Sequence, residues 1–379
     1  MNIALFYHSV ISDWNHGNAH FLRGIATELQ SRGHRVALYE PRNSWSLTNL
    51  IHDHGLAPVR RFRRAYPTLR ARRYDAGVID LDRELEGADL VIVHEWNDAA
   101  LVNTIGEHRK AGAGYKLLFH DTHHRAVSSP ECIAGFDLSG YDGVLAFGEN
   151  LRRRYIKNGW CDRVWTWHEA ADIGVFRPLA PDRHEGDLVW IGNWGDGERS
   201  EELDEFLLEP VRGCGLAACV YGVRYPPQAL DAIRRAGVDF GGWLPNYEVP
   251  RVYSRFTATV HIPRKPYTDQ LAGIPTIRVF EACACGIALV SAPWEDVEGL
   301  FSPGEDFLVA ADGEEMAYLL RKLCRNPDLR GRLSRHGRET IVKRHTCGHR
   351  VDELLSIVNE LDKLRSSARS RFAAAGGDR

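Results

Sequence analysis

The first 40 residues restrict the fold more than any other stretch. Asn2 to Tyr7 is a short apolar run that reads as a buried strand. A polar loop, HSVISDWNHGN, follows it. Leu22, Ile25, Ala26 and Leu29 then recur at helical spacing, Gly33 stops the helix, and RVALYE begins a second strand. A strand, a loop, a helix ended by Gly-His and another strand form the opening unit of a doubly wound parallel sheet. Ligands of such sheets sit beyond the carboxyl ends of the strands.

The alternation continues. Leu90 to Val93, Tyr115 to Phe119 and Gly143 to Ala146 are further apolar runs that each lead into polar residues. A second series begins with LVWIGNWGDG at Leu188 to Gly197 and continues through LAACVYG, a turn-rich GGWLPNYE, TATVHIP, IALVSAP and DFLVA. Helical spacing returns from Glu314 to Leu323 and again at Val351, Leu354, Leu355, Val358 and Leu361. A chain of 379 residues is longer than one core usually supports, so two α/β domains are expected. We place the first at residues 1–165 and the second at 166–348. A helix at 349–365 is expected to pack back on the first domain, and a flexible tail to follow at 366–379.

Composition removes several classes. With 44% hydrophobic and 26% charged residues the chain is neither disordered nor fibrous. Its apolar runs are far too short to span a bilayer, and no basic n-region precedes the first strand, so a cytoplasmic location is expected. Eight cysteines without a CxxC pair fit that compartment. The net charge of −3 gives no general attraction to nucleic acid, and no nucleic-acid partner is expected. One segment departs from this average: Val59 to Arg73 carries seven arginines and no acid. It is either a solvated loop or helix face, or a patch for an anionic acceptor, a phosphorylated carrier or, through Arg60 to Arg73, a peripheral contact with an acidic membrane.

GIPTIRVFEACACGIALVSAPWEDVEGLFSPGEDFLVA resembles the donor-binding stretch of GT-B glycosyltransferases, and in particular the CgeB-type, spore-maturation-protein-like family related to the family-4 enzymes. The likeness extends over residues 160 to 360. It implies two Rossmann-like domains facing a cleft, and transfer of a sugar from a nucleoside-diphosphate sugar to an acceptor without cofactor or metal. Donor-binding roles are implied for Gly192, Asn193, Arg199, Thr276, Arg278 and Glu281. If Phe280 to Ala284 opens a helix, Pro275 to Arg278 lies at its positive end, where backbone donors and the Arg278 guanidinium would offset the diphosphate charge, and the resemblance implies that Glu281, one turn on, accepts the ribose hydroxyls. Bland alternatives stand beside these roles: a carboxylate balancing the helix dipole for Glu281, a structural salt bridge for Arg278, and a simple turn for Gly195 and Gly197. The family-4 pattern has a second glutamate eight positions earlier, where this chain has Gly273. The contact to the sugar hydroxyls must therefore be absent or come from another residue, and retention and inversion both stay open.

LLFHDTHHR, Leu117 to Arg125, offers three histidines and an aspartate. Adjacent histidines such as His123 and His124 cannot easily turn to one metal, so no metal site is expected. The resemblance implies that His120 binds the sugar, with Asp121 orienting an imidazole or serving as base. His123 is a candidate acceptor of the acceptor's proton, or a surface histidine. Asn18 and His20, with Asn15 and Gly17, are expected to line the cleft from the acceptor side. His168, in the motif HEAADIGVFRP, either touches substrate or makes a hinge hydrogen bond. Two rivals remain: a metal-dependent GT-A enzyme using Asp80 and Asp82 of a DxD, and a catalytically silent GT-B-like binding or assembly protein.

Overall fold

A computed structural model of the chain describes residues 1–75, 77–195 and 197–376. Its architecture is the expected α/β one, two parallel sheets facing each other. Strands β1 (Asn2–Phe6), β2 (Arg35–Pro41), β3 (Ala71–Tyr74), β4 (Leu90–His94), β5 (Lys116–Asp121), β6 (Gly143–Ala146) and β7 (Val164–Thr166) form a sheet in the order β3-β2-β1-β4-β5-β6-β7. Strands β8 (Gly186–Ile191), β9 (Ala218–Tyr221), β10 (Val238–Gly242), β11 (Phe256–His261), β12 (Ala288–Ser291) and β13 (Leu308–Val309) form the other, in the order β10-β9-β8-β11-β12-β13. Helices cover the sheets, so central strands are buried along their whole length. This is why β4 and β5 read as apolar runs rather than alternating ones.

In each sheet the winding reverses beside the first strand, between β1 and β4 in one and between β8 and β11 in the other. A crevice opens at such a reversal because the connections on either side run in opposite directions. The two crevices face each other.

The structure decides one local alternative and corrects several local expectations. The arginine-rich segment is a helix, Ala57–Ala65, followed by the edge strand β3. Val59, Phe62, Tyr66 and Leu69 turn inward while Arg60, Arg61, Arg63 and Arg64 stay in solvent. The turn-rich GGWLPNYE begins as the end of β10. The donor-side helix starts earlier than Phe280, running over Ile277–Cys285 behind Thr276. The expected domain boundary at 165/166 falls inside β7, and the chain crosses to β8 between residues 167 and 185.

The last helix, Cys347–Gly376, crosses back and lies along the helix Ala19–Ser31 of the first domain. Trp165 Nε1 donates to Glu360, Lys116 pairs with Asp362, and Arg365 donates to the carbonyls of Gly114 and Tyr115. At the crossing itself Ala171 N donates to His345 O and Cys347 N donates to Ala171 O, and Trp167 Nε1 donates to Arg350 O at 2.8 Å. One buried apolar cluster runs from Leu5 and Phe21 through Trp167 and Phe176 to Phe280, Val351 and Leu354. The tail expected from 366 continues as helix to Gly376, and residues 377–379 lie outside the described residues.

Candidate functional site

Between the two crevices lies a cavity of about 750 Å³, within the range of small-molecule sites. The loop after β1 forms one wall, and its shape is fixed by two buried charged groups. The Glu40 carboxylate accepts the backbone N–H groups of Val10 and Ile11, while the Arg23 guanidinium donates to Val10 O, Ile11 O and Asp13. Asp13 in turn accepts from Trp243 Nε1 and Asn246 N across the cleft. The loop thus serves as a docking surface for the second domain, and Asn15 hydrogen-bonds Asn193 at the same junction.

The opposite wall carries guanidinium groups, of which Arg264 is paired with Glu198 and Arg278 with Glu281. Thr276 and the first turn of the helix Ile277–Cys285 line the cavity, so that its unpaired N–H groups and positive end face inward. Arg278, in that turn, and Arg199 and Arg264 line it too. Arg199 donates to Asn193 O and Ile262 O and lies over the Trp190 ring. Among the described residues it has no carboxylate at ion-pair distance. Burial, and repulsion from Arg264 and Arg278, bring its pKa down to about 9. An anion at this wall would relieve that repulsion. Gly192 lets the backbone pass here, since a Cβ would stand 2.7 Å from the Trp190 ring.

The first-domain floor is a cluster of imidazoles. His8 packs on His16 at 4.1 Å between ring centroids, and His94 lies against both and against His120. Beside them Arg125 pairs with the buried Glu95, stacks on Trp96, and donates to Glu95 O. Thr122 joins the two sets, with its hydroxyl near His94 Nε2 and the Asn18 amide donating to it at 2.7 Å. Burial holds His8 and His120 down at about 3 and His124 at about 4, and it places His16, His94 and His123 well below the ordinary range.

Of the residues expected from sequence, Asn18, His123, Gly192, Asn193, Arg199, Thr276 and Arg278 line this cavity. Five others do not. His120 is sealed beneath the floor between Phe21, His94 and Trp167, so contact with a sugar is not available to it as the fold stands. Asp121 accepts from Tyr155 Oη and from His123 N, so it shapes the loop instead of orienting an imidazole ring. His168 sits between Phe147 O and Glu298, a hinge contact rather than a substrate contact. His20 and Glu281 form a pair across the domains. The His20 Nε2 accepts from Asp172 N at 2.8 Å, so Nδ1 carries the hydrogen and donates to Glu281 Oε1 at 3.0 Å. Arg278 donates to the other carboxylate oxygen. Glu281 is completely buried with both oxygens engaged, and ribose hydroxyls have no path to it in this arrangement.

Asp80 caps a short helix by accepting Arg83 N, and Asp82 is exposed beside His108. Neither reaches the cavity, so the DxD does not form its floor. Among the described residues no three His, Cys, Asp or Glu side chains are arranged to hold a metal ion.

Sequence reading missed His8, His16, Arg125, Arg264 and Glu169 on these walls, and His94 and Glu95, both fully buried, behind them. A signal was present for the pair His94-Glu95, which ends the apolar run of β4 as His120-Asp121 ends that of β5.

The imidazole cluster sets a pH dependence. Six histidines that would titrate near 6.5 when unfolded stay neutral in the folded chain, so the unfolded state binds more protons as pH falls below 6.5. Four carboxyls raised by burial act in the opposite sense: Glu95 to about 8, Asp121 to about 6, and Glu40 and Glu169. The histidines outnumber them, so stability should fall between pH 7 and pH 5, by about 1.4 kcal/mol per pH unit for each net proton. Urea midpoints at the two pH values check this, and an equal or higher midpoint at pH 5 would refute it.

Residues 199–356 match the family described as glycosyl transferase-like. No curated protein matches the chain by sequence. Among solved structures, the chain is similar to an α-glucosyltransferase in complex with UDP-glucose and DNA containing an abasic site (14% identity, TM-score 0.71, 95% of this chain and 99% of that one). It is similar to a glycosyltransferase from Rickettsia africae (11%, 0.67, 96% and 98%) and to HepE of Anabaena in complex with UDP and glucose (14%, 0.67, 94% and 99%). No helix among the described residues is long and apolar enough to cross a membrane. The glycosyl transferase-like match over residues 199–356 and the architecture shared across both domains make the chain a glycosyltransferase of GT-B fold.

Proposed function

We propose that the protein transfers a glycosyl group from a nucleoside-diphosphate sugar, UDP-linked in the first instance, to an acceptor bound on the first-domain side of the cavity. The observation that carries this reading is the convergence of Arg199, Arg264, Arg278 and a helix start on one wall. A leaving diphosphate gains negative charge as the glycosidic bond breaks, and fixed cationic groups aimed at it stabilise that change. UDP is the nucleotide named with the α-glucosyltransferase and with HepE. Guanidinium groups can hold the diphosphate by themselves, so we take the transfer to be metal-independent. A catalytically silent GT-B frame is the weaker reading, because a silent protein has no need of a buried guanidinium facing an open cavity.

The finer assignments belong to the same reading. The CgeB-type kinship rests on the residues 273–310 and on the HT-x-x-xR of His345 to Arg350. Retention of anomeric configuration is the course we favour, since burial leaves His123 a weak base for an inverting transfer. The arginine face of the helix Ala57–Ala65 lies in the first domain and would suit an anionic or carrier-linked acceptor.

Melting curves with UDP-, GDP-, dTDP- and CMP-sugars test the donor site. A ligand at 100 times its Kd stabilises by about 2.7 kcal/mol, so at least one nucleotide should raise Tm with chelator present. A flat screen, or a shift abolished by chelator, would count against the proposal. Turnover of the stabilising donor separates enzyme from silent binder.

A further inference from the structure

We infer that Glu169 is the specificity residue for the donor sugar, its carboxyl hydrogen-bonding a sugar hydroxyl in place of the side chain that Gly273 lacks. The inference rests on the glycosyltransferase reading above. It starts from two observations that are independent of each other.

The position that lacks a side chain cannot regain one. Gly273 has φ +90°, and a Cβ there would stand 2.1 Å from Val297 Cγ2. A glutamate at 273 is therefore excluded by backbone conformation and by space, and position 273 does not line the cavity. Any contact to the sugar hydroxyls has to come from a different element.

Glu169 lies on the crossing segment between the sheets and does line the cavity, although it is only 2% exposed. Its Oε1 is buried without a hydrogen-bond partner among the described residues. A buried carboxyl oxygen left unpaired is costly, and it persists where a ligand supplies the partner. The segment is held rigidly. Arg350 donates to the carbonyl of His168 at 2.9 Å, and Ala171 is bridged to Thr346, so the backbone on either side of Glu169 is fixed.

The chemistry favours a neutral hydroxyl over a cation. Desolvation and the neighbouring Glu281 carboxylate raise the Glu169 pKa well above the ordinary carboxyl range, partly offset by Arg278. The group is then an uncharged acid offering one O–H donor and acceptor oxygens, a set that matches a sugar hydroxyl, itself donor and acceptor. Its electrostatic neighbours Arg278, on the diphosphate wall, and Tyr267 both line the cavity, which puts the carboxyl on the side where a sugar linked to that diphosphate would lie.

Calorimetric titrations of UDP and UDP-glucose, or of the diphosphate and sugar pair that the melting screen selects, test this on three proteins. Wild type should bind both. Glu169→Ala should bind the intact donor about 10-fold more weakly while its affinity for the bare diphosphate changes less than about 2-fold. Glu169→Gln presents an N–H donor and a carbonyl acceptor in the same shape, and should keep donor affinity and turnover within about 3-fold of wild type. Equal losses for diphosphate and donor in Glu169→Ala would overturn the inference. So would a Glu169→Gln protein that binds the donor but is as inactive as Glu169→Ala, since that would make Glu169 a proton carrier. Wild type that binds no nucleoside diphosphate would sink the donor-site reading itself, and this inference with it.

Discussion

A chain ended after Arg350 should fail to accumulate as folded protein. The removed helix buries Val351, Leu354, Ile357, Val358 and Leu361, none more than 7% exposed, in the cluster shared with Phe21, Trp167 and Phe280. At about 1.5 to 3 kcal/mol for each buried side chain the loss is about 8 to 15 kcal/mol. That equals the whole stability of a typical domain, about 5 to 15 kcal/mol. The ion pairs Lys116–Asp362 and Arg365–Asp142 add little, being partly exposed. Soluble yield and the near-ultraviolet dichroism of the tryptophans report the outcome. A chain ended after Ser367 is the control, because it keeps Arg365 and its contacts to Gly114 and Tyr115. A folded, nucleotide-binding protein ending at Arg350 would show that the helix is dispensable and that the shared core does not depend on it.

How far the sequence carried this architecture depended on burial. Strands β1, β4, β5 and β8 are covered on both faces, so each carries a continuous apolar run that nothing else explains. The edge strands β3 and β7 were not legible. ARRY has two exposed arginines among its four residues, and VWT is too short for any periodicity. The site divides in a similar way. Gly192, Asn193, Arg199 and Thr276 follow strands or open a helix, which is where the fold puts ligands, and they do line the cavity. His20, His120 and Glu281 occupy comparable sequence positions yet are sealed away. Their exposure is decided by how one domain docks on the other, through Asp172, Phe176 and Trp167, and no local pattern encodes that. Glu169 is the converse case. Within HEAADIGVFRP it looked like part of a hinge, and only the crossing geometry turns it to the cavity.

Glu281→Ala should act first on folding and only then on the nucleotide. The carboxylate is fully buried, accepts from Arg278 and from His20, and so joins the helix Ile277–Cys285 to the helix Ala19–Ser31 of the other domain. Removing one member of a buried charged pair leaves the other uncompensated, at a cost of about 3 to 5 kcal/mol. The lower end applies here, because Arg278 is 22% exposed toward the cavity and can turn to water. The His20 Nδ1–H loses its acceptor as well. A cycle with His20→Ala should therefore show strong coupling, the double variant being less destabilised than the sum of the two single ones. Nucleotide affinity should fall by about 10-fold, because Arg278 is no longer held at the diphosphate wall. Urea denaturation gives the stability loss and titration with UDP the affinity loss. Under the reading that Glu281 touches the ribose, the variant would unfold like wild type and lose only nucleotide binding. An unchanged urea midpoint with weakened UDP binding would restore that reading and reject the interdomain role.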